Sequence, residues 1–190
     1  MDNLASSLPE GSKPAVALSR YYKTFNESSI TIDSTHVDNS AVFSNADTPV
    51  YWYVVVDLKT LKVVANVTSK SNDSVPSAIS SYKDNSQYFL FFIANSQLGY
   101  NVPQGSLYTF LNDIGAGEQL ARGEEMIEQL GTGAIRYFSY ILAATMNTKD
   151  AGGFELFSYT HPMILTVYFL PVTYNDQTIY APVILGSQTA

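Results

Sequence analysis

Cysteine is absent from the 190 residues. Its absence excludes disulfides, thiolate nucleophiles and Cys-based zinc sites. Histidine occurs only at His36 and His161, far apart in the chain, so little material exists for an imidazole metal site. Ten basic residues stand against 17 acidic ones, a net charge of -7. A basic footprint for nucleic acid is therefore missing. Charged residues make up 14%, where about 25% is usual. No apolar run approaches the ~18 residues of a membrane span. The densest run, Tyr88 to Ala94, has strand length. The first residues lack the basic segment and apolar stretch of a secretory signal. The chain reads as soluble and untargeted, in a compartment the sequence leaves open.

What is present is apolar and aromatic. Hydrophobic residues reach 46%, with 14 Tyr and 10 Phe. That supports a packed core, and the length fits one domain of ~100–200 residues. Tyr with Ser and Asn suits recognition surfaces, where rigid rings and adaptable hydrogen bonds meet. Tyr and Phe are equally at home in strands. Both readings stand. The sequons at Asn26, Asn66 and Asn72 are expected by chance in a chain this rich in Ser, Thr and Asn.

Residues 1–27, broken by Pro9, Gly11 and Pro14, read as an N-terminal arm or strap. Residues 28–44 carry one or two short strands. Val50 to Val56 is a continuous run, as in a strand buried on both faces. Leu61, Val63, Ala65 and Val67 alternate with polar residues, so 50–67 predicts an antiparallel hairpin. Ser74-Val75-Pro76 opens a short helix over 75–84, and Tyr88 to Ala94 is a second buried strand. That strand–helix–strand order suggests a crossover, running parallel to one hairpin strand. Leu107, Phe110, Leu111 and Ile114 predict a helix over 105–114, with Ser106 as N-cap. Leu120, Met126, Ile127 and Leu130 predict another over 117–130, and Gly123 within it marks a close contact. Strands follow within 135–146, at 154–159, and at 163–172 and 178–185 around the loop 173–177. Pro171 and Pro182 push the last hairpin to a sheet edge.

Tests for reactive motifs return little. Gly115-Ala116-Gly117 lacks the preceding strand and third glycine of a dinucleotide fingerprint. It reads as a helix connection. Glu124, Glu125 and Glu128 read as a solvated helix face. No motif pairs a hydroxyl with a base. The aromatic clusters Tyr51-Trp52-Tyr53, Tyr137-Phe138 with Tyr140, and Phe157 with Tyr159 suit sugar recognition, in which rings stack and amides bond hydroxyls. Trp52, the single tryptophan, also fits the core of strand 50–57.

The hairpin with Thr60-Leu61-Lys62-Val63-Val64 at its return, the helix Ser74 to Asp84 and the strand Tyr88 to Ala94 belong together as a pattern. With the polar loop after that strand and the helix ending at Leu130-Gly131-Thr132, residues 50–146 resemble the interleukin-like EMT inducer domain. The resemblance implies a compact α/β sandwich, and in some family members carbohydrate binding. Animal members carry disulfides and this chain has none. No basic residue in 137–142 matches a family sugar ligand.

Together these readings predict an α/β (α+β) sandwich. A central mixed β-sheet is covered by helices, with additional N- and C-terminal antiparallel strands. It is a single domain over 1–190: arm 1–27, core 28–146 and C-terminal strands 154–190. The expected function is non-catalytic, a lectin-like carbohydrate-binding module acting as a homo-oligomer. The alternative is a self-assembling structural protein of a virion, filament or inclusion. The ligand residues expected are Asn95, Gln97, Tyr100, Tyr137 and Tyr140. No catalytic residue, metal, cofactor, nucleic acid or membrane span is expected.

Overall fold

Two strand patterns divide the chain between two sheets. The computed structural model describes residues 8–22, 25–42, 50–96, 103–130, 138–148, 153–158 and 161–189. Runs that are apolar on both faces build the three middle strands of one five-stranded sheet. It contains β6 (Val50–Asp57), β7 (Val63–Ser69), β8 (Tyr88–Ser96), β9 (Phe138–Thr145) and β10 (Phe154–Ser158), in the order β10-β9-β8-β6-β7. Runs that alternate build the other. It contains β1 (Lys13–Ser19), β4 (Ser29–Ile32), β5 (Thr35–His36), β11 (Met163–Tyr174) and β12 (Gln177–Thr189), in the order β12-β11-β1-β4-β5. A short pair, β2 (Tyr21–Tyr22) and β3 (Phe25–Asn26), lies apart. The helices among the described residues are α1 (Ser77–Ser80), α2 (Gly105–Asp113) and α3 (Glu118–Leu130), with a 3-10 turn at Ser40–Val42. The fold is sheet-rich.

Two apolar clusters account for its cohesion. The first takes the inner residues Ala15, Ala17, Ile30, Ile32, Leu165, Val167 and Phe169 of one sheet. They join Trp52, Val54, Val56, Phe89, Phe91 and Ile93 of the other. Phe89 and Phe169 meet edge to face at 5.4 Å across the two sheets. The second cluster takes Tyr51, Tyr53, Leu90, Phe92, Tyr140 and Leu142 together with Leu107, Phe110 and Leu111 of α2. Strand β6 feeds both, and Val50 to Val56 are all buried. Each buried Val is worth about 1.5–3 kcal/mol. That places β6 at the energetic centre.

Several expectations need correction. Every neighbouring strand pair is antiparallel, so the central sheet is not mixed. The crossover exists and β8 runs parallel to β7 as expected, but β6 lies between them, so among the described residues β8 pairs with the antiparallel strands β6 and β9. The arm is not free. Lys13–Ser19 is a central strand between β11 and β4, holding buried Ala15, Ala17 and Ser19. The small size of these inward residues hides the strand, because Val167, Leu165 and Met163 supply the bulk opposite them. The helix expected over 75–84 is only Ser77–Ser80, followed by turns. The loop 173–177 shrinks to two residues. Asn175 and Asp176 have φ of 48° and 57°, and positive φ at both centres marks the turn that suits strand twist.

Candidate functional site

Of the site expected from sequence, Asn95 stands on β8 and Tyr140 on β9. Asn95 stands opposite Ser139 in the register, and Ala94 stands opposite Tyr140. The backbones of Asn95 and Tyr140 are thus neighbours. Gln97, Tyr100 and Tyr137 lie outside the described residues. Tyr140 is fully buried and presents no ring to solvent. Its hydroxyl donates to Glu155 Oε1 at 2.5 Å, and Glu155 Oε2 accepts the Gln119 N–H at 3.1 Å. Tyr140 therefore fastens β10 and the first turn of α3. Burial, followed by the negative charge of Glu155, pushes its hydroxyl well above the ordinary tyrosine range. Tyr140 is a structural anchor and leaves the set of ligand candidates.

Trp52 is also fully buried. Its Nε1–H donates to Asn66 Oδ1 at 2.7 Å, while Asn66 Nδ2 donates to the Asp38 carbonyl at 2.7 Å. Gly123 packs on the Phe157 ring, which lies 3.4 Å from where a Cβ would stand, an ordinary van der Waals distance that does not by itself demand a glycine. Gly115-Ala116-Gly117 connects α2 to α3, as the missing fingerprint positions implied.

A more open arrangement lies elsewhere. A cleft of about 540 Å³ runs between the turns after α1 and the exposed flank of α2. Its apolar floor is Val75, Phe110 and Ile114. Around it stand Ser80, Lys83, Asp84, Ser106, Thr109, Asp113 and Asn147.

The local chain explains this placement. Ser71 Oγ donates to Asp73 Oδ1 at 2.6 Å and lies 2.6 Å from Ser74 Oγ, which rigidifies the turn before α1. The Asp73 carbonyl then accepts the Ser106 and Leu107 amides at 3.0 and 3.4 Å, and the Ser106 hydroxyl at 3.0 Å. It does the capping that Ser106 was expected to do. The N-cap position is Gln104, without a side-chain bond. Gly105 is required at the junction: its φ is +52°, and a Cβ would stand 3.1 Å from the Asp73 carbonyl. Asn147, in the turn after β9, holds φ 53° and donates from Nδ2 to the Asp84 carbonyl at 3.2 Å. Three separate chain segments are thus pinned around one floor.

A second groove of about 590 Å³ opens between the β4–β5 and β6–β7 hairpins. His36 and Lys62 line it beside Asp33 and Asp38. Both carboxylates are engaged locally. Asp33 holds Lys13 at 2.9 Å, and Asp38 Oδ1 accepts the Ser40 N–H at 3.0 Å. That amide bond, more than His36, keeps Asp38 below the ordinary carboxylate range. His36 and His161 are both exposed.

The cleft residues carry no contiguous sequence signal. Lys83 and Asp84 close a helical turn, Asp113 ends a helix and Asn147 begins a loop. Only the fold brings them together. No family model matches this chain, and no curated protein matches it. No helix among the described residues is long and apolar enough to cross a membrane.

Proposed function

We propose that this chain is a non-catalytic binding module of the lectin-like kind, taking a carbohydrate in the cleft between the α1 turns and α2. The observation that carries the reading is the composition of that cleft. A narrow apolar floor, Val75 with the edges of the buried Phe110 and Ile114, lies under two carboxylates, one amide, one ammonium and three hydroxyls. Sugars ask for this combination: an apolar C–H face to cover and several hydroxyls to bond from mixed donors and acceptors. The likeness to the interleukin-like EMT inducer domain, which implies a compact α/β sandwich, favours the same ligand class. The residues that carry this reading are Lys83, Asp84, Asp113 and Asn147; of those expected from the sequence, Tyr140 is withdrawn because it is buried.

Catalysis is not part of the proposal. It needs a reactive group and a partner that orients it. In this reading Lys83, Asp84 and Asp113 have the role of bonding sugar hydroxyls.

The second reading, a self-assembling structural protein, is favoured by one observation: β11 and β12 together contain no charged residue. Growth by strand addition is opposed by the sheet edges. Edge strand β12 has Pro182, which lacks an N–H, and its Tyr180 N–H donates to the Leu58 carbonyl at 2.8 Å. Edge strand β7 is bulged beside Val64, whose carbonyl accepts the Tyr82 hydroxyl at 3.2 Å. These are devices that keep sheet edges from pairing.

The test is a glycan array with the intact protein, followed by Asp113→Asn and Lys83→Ala. Retention that falls at least ten-fold in these variants supports the reading. No retained glycan at any density would remove it. A turnover abolished by changing His36 or His161 would overturn its non-catalytic half.

A further inference from the structure

The inner positions of β1, β11 and β12 point into the inter-sheet core, so the alternate positions face outward. On β1 these are Pro14, Val16 and Leu18, and on β11 they are Ile164, Thr166, Tyr168, Leu170, Val172 and Tyr174. Register adds Val183, Ala181 and Ile179 of β12 beside Tyr168, Leu170 and Val172. On the other flank Thr31 of β4 stands beside Val16. None of these residues is charged, although the chain carries 27 charged residues and a net charge of -7. The helices α1, α2 and α3 are associated with the other sheet. Val16 is 38% exposed, Val172 43%, Ile179 37% and Tyr174 69%. A contiguous apolar face of this kind marks an interaction surface.

We propose that this outer face is the contact between two copies of the chain, packed sheet on sheet about a two-fold axis. Three features favour a second copy as the occupant. The first is area. Strands β12, β11, β1 and β4, at about 3.4 Å per residue and about 4.8 Å apart, span roughly 600 Å². Two such faces bury roughly 1,200 Å², the lower end of what a stable specific interface needs. The second is charge. Two copies of an acidic protein repel, and a face free of ionised side chains lets them meet with the least like-charge contact. The third is geometry. Sheet faces stack at about 10 Å with apolar side chains interleaved, as the inner face of this same sheet does through Phe169 on Phe89. A two-fold contact needs one patch that meets its own copy, and a face without charged residues sets no like charge against itself.

The proposal deepens the reading of an assembled binder. Two linked clefts raise the retention of a ligand that each holds weakly.

The experiment is light scattering on the intact chain from low to high micromolar, with Val16→Lys, Tyr174→Lys and, as a control on the other sheet's edge, Val63→Lys. All three positions are exposed, so a lysine there stays in water. Circular dichroism and melting confirm that each variant is folded. The expected result is twice the 20.9 kDa chain mass for wild type and Val63→Lys, with Val16→Lys and Tyr174→Lys dissociating at least ten-fold more easily. A single-chain mass for wild type at high micromolar overturns the proposal. So does a dimer that neither Val16→Lys nor Tyr174→Lys weakens. Glycan titration of the dissociated Val16→Lys variant keeps the two claims separate, because one cleft per chain remains intact in it.

Discussion

Removing the carboxylate of Glu155 perturbs two elements at once, and the structure gives the size of the effect. Glu155 is the acceptor for the Tyr140 hydroxyl at 2.5 Å and for the Gln119 amide at 3.1 Å. In Glu155→Ala the Tyr140 hydroxyl, fully buried, loses its acceptor, which costs about 1–3 kcal/mol. The first turn of α3 also loses an anionic cap, worth about 0.5–2 kcal/mol. The expected destabilisation is about 2–4 kcal/mol, or a fall of about 5–12 °C in Tm for a chain of this size. Tyr140→Phe should cost less, about 1–2 kcal/mol, because the half-exposed carboxylate keeps the Gln119 amide and can take up water. The double variant should fall short of additivity by about 1–2 kcal/mol.

Urea and thermal unfolding followed by circular dichroism measure all three. A Glu155→Ala protein within 0.5 kcal/mol of wild type, or a fully additive double variant, would refute the anchor. The pH dependence adds a sign. The folded-state value of Tyr140 is raised by burial and then by Glu155. The native protein therefore keeps a proton that the unfolded chain releases near pH 10. This stability is complete below about pH 10 and declines as pH rises above it. Tyr140→Phe should flatten that decline, and an unchanged alkaline slope would count against the assignment.

Tyr53 offers the opposite case. Its hydroxyl is buried without a partner, so Tyr53→Phe should be neutral or stabilising by up to about 1–2 kcal/mol. A loss above 1 kcal/mol in chemical denaturation would mean the hydroxyl is satisfied. Gly153 is enclosed, with a Cβ placed 2.7 Å from Leu142 Cδ1 and 2.8 Å from the Ile114 carbonyl. Leu142 can turn away but the backbone cannot, so Gly153→Ala should lose about 1–3 kcal/mol in the same assay. An unchanged melt would show that the segment yields.

The elements with unbroken apolar patterns were legible in the sequence. Val50 to Val56 and Tyr88 to Ala94 declare themselves as buried strands, and the stripe Leu107, Phe110, Leu111, Ile114 declares α2. Strand β1 was not legible. Its inward residues are Ala15, Ala17 and Ser19, too small to register as a hydrophobic pattern, and Pro9, Gly11 and Pro14 before them mimic a loop. The division into two antiparallel sheets was hidden for a related reason. A short helix between two strands implies a crossover but does not say which strand lies between, and β6 occupies that place. The cleft was the least legible feature. Asp84, Asp113 and Asn147 sit at ends of elements, where polar residues are ordinary. Their convergence depends on the Asp73 carbonyl fixing α2. Tyr140 shows the converse: an aromatic that looked like a ligand platform is held in the interior by Glu155.

The most direct measurement of the central claim is amide NMR of the intact protein titrated with a panel of neutral di- and trisaccharides into the millimolar range, where a single shallow site would bind. The account predicts saturable shifts confined to residues 80–84, 105–114 and 147, lost in Asp113→Asn. Saturable shifts centred on β8 and β9 near Asn95, or no shifts with any sugar in the panel, would contradict it.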